Sequence, residues 1–429
     1  MPRITRSSLL FVFLCVGIPL TGHCDEAMTW QDCIKEAQKY HPDLISAEEN
    51  VKQSQANKNI AASGLFPQVS SSISATIKDT NAYSAGNKTH TVADTYKYGG
   101  TVTQLIFDSF KTSSHVKAAR ENVKAARYNY RFTSSQVRFR LRTAFVDLLK
   151  AQEAVTIAQE IYKIRKSNLD LISLRYDSGI EHKGALLTAQ ANLAEAEFEI
   201  SQARRALEVA QRELLKEIGR EKFSALRAIG ELSVSSKDCQ KPDFEALADN
   251  TPTLRKLIAQ RIAARYGIRS AQANFLPELS AQGGIARSGN RWPTTSREWS
   301  AGLTLSLPLF EGGLRLAELA GARAVFNQAK ADERSAKAGI ILTLAQQWAA
   351  FRDAAETVEV QNKFLVAAEA RAKIAEEQYS LGLLQFDNWT IIEDTLVSAK
   401  KSFLNAQTNA LLAQANWIQA KGETLEYVE

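Results

Sequence analysis

The sequence predicts a mainly α chain with a small β part, built from duplicated long coiled-coil helices and four strands. Three observations predict it. The first is a ladder of small and apolar residues at alternating steps of three and four: Leu186, Ala189, Leu193, Ala196, Ile200, Ala203, Leu207, Ala210 and Leu214. Steps averaging about 3.5 residues describe the seam of a helix that supercoils left-handedly on a partner. The second is its copy 203 residues later, in Trp389, Ile392, Leu396, Ala399, Phe403, Ala406, Ala410, Ala413 and Trp417. The third is a switch of the apolar pattern to period two in each half, the mark of strands.

Taken in order, residues 1–24 read as a secretory leader, with Arg3 and Arg6 ahead of an apolar core from Leu9 to Leu20. An apolar stretch of about a dozen residues is too short to span a bilayer as a helix. Cleavage is expected after Cys24, and the His23 before it fits a lipid-attachment site poorly. Residues 25–218 form a first structural repeat, 219–242 a connector and 243–429 a second repeat. Pro42 and Phe66-Pro67 return 210 residues on as Pro252 and Leu276-Pro277, whereas Phe107 and Tyr176 return 203 residues on as Phe310 and Tyr379. The first half therefore carries extra residues between its paired prolines and phenylalanines, where a loop tolerates them.

Each repeat reads helix, strand, loop, strand, very long helix, turn, return helix. The first helix runs from about Pro42 to Ser63, and a hairpin occupies about 65–107. There Val69, Ile73, Ala75 and Ile77 alternate with Ser70, Ser72, Ser74 and Thr76, and Asp79–Asp94 is expected to be a polar loop. A long helix follows over about 110–176, with two successive four-residue steps at Thr133, Val137 and Leu141 that predict a change of packing there. Gly179 closes it, and a return helix spans about 184–217. The second repeat repeats the plan with a hairpin at about 275–310, a long helix at about 313–379 closed by Gly382, and a return helix at about 388–422. Its strands alternate most clearly, with Trp299, Ala301, Leu303 and Leu305 between Ser300, Gly302 and Thr304. Cys33 and Cys239 lie just before equivalent helices and are expected as free thiols.

Four strands, apolar on one face and small-polar on the other, cannot close a barrel alone, and open edges in apolar surroundings are costly. Three chains supply twelve, an even number that suits a transmembrane barrel with a wet interior. The alternative is that the apolar face packs on helices in a soluble protein. The formal charge of +6 is spread among acidic residues along helix faces, which argues against a nucleic-acid partner. The five histidines, His23, His41, His90, His115 and His182, sit at no ligand spacing, and no phosphate loop or nucleophile motif appears, so neither catalysis nor a cofactor or metal is expected.

With these features in place, the chain resembles the TolC-like outer-membrane efflux protein family. The resemblance rests on the Phe-Pro or Leu-Pro opening of each hairpin, on Leu307-Pro308-Leu309-Phe310-Glu311-Gly312-Gly313 leading into the second long helix, on the Tyr-x-x-Gly turns and on the Ala-rich return helices. It implies a homotrimer with a trimeric α-helical barrel in the periplasm and a 12-stranded transmembrane β-barrel among outer-membrane lipid of a Gram-negative bacterium. It implies two further partners, a periplasmic adaptor (membrane fusion) protein and an inner-membrane transporter of the RND or ABC type. The implied function is an efflux channel-tunnel for small molecules; the same scaffold serves one-step (type I) protein secretion. A non-channel trimeric coiled-coil structural or adhesive protein would explain the ladders but not the hairpins.

The family's adaptor-contacting tips correspond here to Gly179 and Ile180 in the first half and to Leu381, Gly382 and Leu383 in the second. Its acidic constriction at the start of the return helix corresponds to Asp387, with Glu393 and Asp394 behind it. Three carboxylates around an axis attract cations and repel one another, which suits a gate; Asp387 equally suits a helix N-cap. Gly184 stands at the equivalent place in the first half, where His182 and Lys183 make the tip basic and are expected to pair with Asp387 when the gate is closed.

Overall fold

The computed structural model describes residues 26–84, 87–233 and 241–426, so the leader with Cys24, and Cys239, lie outside the described residues. The first half runs β1 (Glu26–Thr29), α1 (Trp30–Tyr40), α2 (Pro42–Ser63), β2 (Gln68–Ser84), β3 (Asn87–Phe107), α3 (Lys111–Asp177) and α4 (Lys183–Ile218). The second runs β4 (Leu226–Ile229), α5 (Phe244–Asn250), α6 (Pro252–Ala273), β5 (Glu278–Gly289), β6 (Ser296–Ser306), α7 (Leu314–Ser380) and α8 (Phe386–Lys421). At about 1.5 Å per residue, the 67 residues of α3 and of α7 each make a rod of about 100 Å.

The helices form a layer of four columns. α3 packs against α2, α4, α6 and α8, and α7 packs against α6 and α8. α4 stacks end to end below α2, and α8 below α6, so the order across the layer is α2/α4, α3, α6/α8, α7. Glycine makes the stacking possible. Gly219 ends α4 at φ +85, and a Cβ there would lie 2.6 Å from the Tyr40 carbonyl oxygen at the head of α2. Gly422 ends α8 at φ +79, and a Cβ there would collide with the Pro252 ring at the head of α6.

The largest core lies where these stacks meet, with Val137, Leu141, Phe145 and Leu148 of α3 against Leu44 of α2 and Leu214 and Ile218 of α4. α3 stays helical through the four-residue steps at Val137, and along the chain its neighbour changes there from α2 to α4. Arg140 bridges the handover, donating to Glu217 at the end of α4 (3.2 Å) and pairing with Asp43 at the start of α2. Cys33 sits inside α1, not ahead of a helix, and is fully buried in this core. The connector is not wholly irregular either: its β4 pairs in parallel with β1, so the start of the described chain is tied to the junction of the halves. Arg220 adds bonds to Glu26 and Glu36 at 2.6 Å each.

The two hairpins join into one antiparallel sheet in the order β2-β3-β5-β6. Within the expected loop Asp79–Asp94, residues 79–84 instead continue β2 and 87–94 continue β3, paired from Asp79↔Val92 to Ser84↔Asn87. The strands are 17 and 21 residues long, against 12 and 11 in the second hairpin. Polar composition concealed them; Thr80, Thr91 and Val92 are β-branched and suit a pleated ribbon. Val69, Ile73, Ile77, Ile285, Trp299, Leu303 and Leu305 all stand exposed, so among the described residues no helix covers the apolar face, against the soluble alternative. Among the described residues no helix is long and apolar enough to cross a membrane.

Candidate functional site at the helix tips

The rods end by the same device. Gly179 (φ +74) and Gly382 (φ +75) turn left-handed, which lets the Ile180 N–H reach the Arg175 carbonyl at 2.9 Å and the Leu383 N–H reach that of Gln378 at 2.8 Å. These bonds satisfy carbonyls that the helix end leaves free. The apolar side chains flanking the two glycines stand outward: Ile180, Leu381 and Leu383 are 66%, 73% and 76% exposed.

Just behind these tips the two hairpins are locked together. The Tyr379 hydroxyl, at the end of α7, donates to Glu181 Oε2 in the α3–α4 turn at 2.8 Å. Arg175 of α3 donates to the Tyr379 carbonyl at 3.2 Å and lays its guanidinium over the Tyr379 ring at 4.7 Å. On the α8 side Trp389 stacks on Tyr379, with centroids 4.2 Å apart and an interplanar angle of 12°. Phe386 meets both Tyr379 and His182 at 6.4 Å. Tyr379 and Trp389 are almost fully buried. Burial first, then the Glu181 acceptor and its charge, push the Tyr379 hydroxyl well above the ordinary tyrosine range, so it stays a donor. The Trp389 Nε1 and Arg175 Nε atoms are buried with no hydrogen-bond partner among the described residues.

Sequence reasoning found the Tyr-x-x-Gly turns but missed this cluster. Tyr176 and Tyr379 hold equivalent places, yet Tyr176 is partly exposed and only Tyr379 is enclosed. The difference arises because α8 lies between α3 and α7, a neighbour relation that no periodicity reports.

Asp387 is exposed in the first turn of α8, and the N-cap is Gln385, which makes no side-chain cap bond; the N-cap reading of Asp387 is therefore corrected. His182 is itself a cap, its Nδ1 accepting from the Ala185 N–H at 3.1 Å, and Lys183 begins α4 exposed. Neither forms an ion pair with Asp387 among the described residues of one protomer. Glu393 and Asp394 are not brought to the same surface. Glu393 is buried, where burial, opposed by Arg165 and a hydrogen bond from Asn168, pushes its carboxyl above the ordinary range. Asp394 pairs with Arg165 of α3 at 2.5 Å. Higher up, Lys400 of α8 reaches Glu160 of α3 at 2.8 Å and Lys401 reaches Glu199 of α4 at 2.5 Å. α8 is thus clipped along its length to the first hairpin.

The sequence profile of the outer membrane efflux protein family matches residues 33–220 and 245–425. The outer membrane efflux protein BepC of Brucella suis biovar 1 is 21% identical, over 95% of this chain and 88% of its own length. The outer membrane protein TolC of Escherichia coli is 24% identical, over 95% of this chain and 85% of its own. The open state of the Neisseria gonorrhoeae MtrE outer membrane channel superposes with a TM-score of 0.79 at 19% identity, covering 92% of this chain and 89% of that one. An exposed apolar sheet on a periplasmic column of paired rods is the architecture these proteins share, and the chain belongs to the outer membrane efflux protein family, as an efflux channel of the Gram-negative outer membrane.

Proposed function

We propose that this channel is the exit duct of a tripartite pump for small molecules, that its paired tips dock a periplasmic adaptor, and that Asp387 lines its inner gate. The observation that carries the reading is the contrast at the tips: exposed Ile180, Leu381 and Leu383 at the very end, and an enclosed Tyr379–Glu181–Arg175–Trp389 lock directly behind. An apolar end standing in water needs a partner, and three protomers present six such ends in a ring. Gly179 and Gly382 hold those ends in shape, so an adaptor hairpin meets a rigid surface. An energised inner-membrane transporter of the RND or ABC type completes the path, and the Brucella relative's designation as an efflux protein supports export through this duct.

Asp387 stands exposed where α8 begins, so three copies form a carboxylate ring at the mouth. Glu393 and Asp394 act behind it as positioning residues that hold α8 on α3. Lys183, beside the His182 cap at the start of α4, is the cation that meets Asp387 when the mouth is shut. The test is cysteine-directed crosslinking in intact cells from Leu383→Cys, paired with single-channel recording of Asp387→Ala. Adaptor captured at the tip and a reduced cation preference support the reading. Capture only from positions high on the rods, or an unchanged cation preference, overturns the docking and gate assignments respectively.

A further inference from the structure

We infer that the outer rim of the sheet carries a binding site for the phosphate groups of an outer-leaflet glycolipid, built on Arg287 and Arg297. The inference rests on the outer-membrane location and goes beyond the channel function. Across the β5–β6 ladder, Leu279 faces Leu305, Ala281 faces Leu303 and Ile285 faces Trp299; the next pair on that face is Arg287↔Arg297. Side chains two apart on a strand share a face, so both arginines stand on the lipid side, at the end nearest the β5–β6 turn and farthest from the helices. From Leu305 to Trp299 the apolar band rises about 20 Å at 3.3 Å per residue, close to the band of a membrane barrel of about 25 Å. The arginines therefore sit at the outer headgroup level.

Two like charges directly opposite each other on a ladder destabilise it unless something neutralises them. Among the described residues neither arginine forms an ion pair. The inner face at the same height is handled differently: Lys97 pairs with Glu298 at 3.3 Å, and the Ser288 hydroxyl also bonds that carboxylate. The acids on the outer face lie farther out, with Asp79 taken by His90 at 2.9 Å and Asp94 opposite Ile77. Charge is thus balanced toward the lumen and left unbalanced toward lipid. Tyr98 stands opposite Arg287 on β3, with the Trp292 ring 5.5 Å from it, so the cationic pair is set in an aromatic interfacial belt. Two adjacent guanidinium forks match one tetrahedral phosphate on a sugar, each offering paired N–H donors. The apolar band below receives its acyl chains.

The test uses the purified, delipidated full-length trimer and three probes: bisphosphorylated lipid A, the same lipid after enzymatic dephosphorylation, and inorganic phosphate, read by native mass spectrometry. The phosphorylated lipid is expected to bind at least about tenfold more tightly than the dephosphorylated one, in line with two basic side chains at a membrane surface. Millimolar inorganic phosphate is expected neither to remain bound nor to compete. The double variant Arg287→Ala/Arg297→Ala should lose the preference, and Arg287→Lys/Arg297→Lys, which keeps the charge but not the paired donors, should retain only part of it, both with normal conductance. Equal binding of the two lipids to the wild type, which needs no variant to fold, overturns the site; so does a double variant that keeps the preference. Competition by inorganic phosphate at the lipid's own affinity overturns the glycolipid and leaves a simple anion site. Loss of the trimer from outer-membrane fractions would instead count against the channel reading itself.

Discussion

The Tyr379 side chain makes three different contacts with three elements, and each has its own consequence. Its hydroxyl bonds Glu181, its face stacks on Trp389, and its other face carries Arg175. Tyr379→Phe removes only the first. A hydrogen bond to a charged group contributes about 1.5–3 kcal/mol, so the variant should spend at least about tenfold more time open in single-channel recordings, with trimer stability nearly intact. An unchanged open fraction would show that the bond holds the fold and not the gate. Trp389→Ala removes the stack and a fully enclosed ring, for which about 3–5 kcal/mol is the usual cost, and should lower the melting temperature of the trimer as well. At the upper core, burial alone would raise the Glu217 carboxyl, but a hydrogen bond with His41, another with Lys216 and the Arg140 charge outweigh it and hold it at about 2, against an ordinary 4.5. A depressed carboxylate adds stability that is fully present above 4.5 and is lost as pH falls toward about 2. Glu217→Gln should therefore melt earlier than wild type at pH 7, and thermal melting across pH should show that gap closing between those two values.

At the scale of elements, the glycines that end the four helices are not equivalent. Gly179 and Gly382 need a left-handed backbone but have open space around them, whereas Gly219 and Gly422 need it and also face the backbone or ring at the head of another helix. Gly179→Ala should cost about 1–2 kcal/mol, the price of left-handed geometry for an L-residue. Gly219→Ala should cost more, because the Tyr40 carbonyl must move as well, and should separate α4 from α2. Trimer melting of the two variants side by side checks the order; equal losses would mean that α4 and α2 do not depend on the close approach. These same helix ends show what the sequence made legible. The ladders from Leu186 and Trp389 are buried or half-buried at every rung, because a helical seam is a local pattern. Period two in Trp299 to Leu305 marked a strand for the same reason. The joining of β3 to β5, the β1–β4 pair and the outer reach of β2 and β3 were not legible, since they depend on which distant segment comes alongside. The candidate site divides the same way: the exposed tip residues follow from the glycine turn, while Arg175, Glu181 and Trp389 meet only through the placement of α8.

At the scale of the whole molecule, the protomer is a slab with two unlike open edges. The sheet ends on β2 at one side and β6 at the other, and the helix layer ends on α2/α4 and on α7. Both helical edges carry exposed apolar side chains: Leu187, Phe198 and Val209 on α4, and Leu342 and Phe364 on α7. The α4 set recurs every 11 residues, a spacing of about 3.67 per turn that keeps to one face of a nearly straight helix. Unlike edges that complement each other make a heterologous interface, which propagates around a ring until it closes. Four strands and four columns per chain close at three copies into twelve of each. Phe198→Asp spoils one edge and Phe364→Asp the other, and each alone should abolish the heat-resistant trimer, because every interface in a homomeric ring then contains a buried charge. Co-expressing the two variants separates this geometry from any symmetric one. A Phe198→Asp chain still offers a sound α7 edge, and a Phe364→Asp chain a sound α4 edge, so the two can join once. The remaining edges of that pair are both spoiled, and no third chain can add. Crosslinking should therefore trap mixed dimers without trimers. Recovery of mixed trimers would mean that α4 and α7 do not meet, and that the ring closes through other faces.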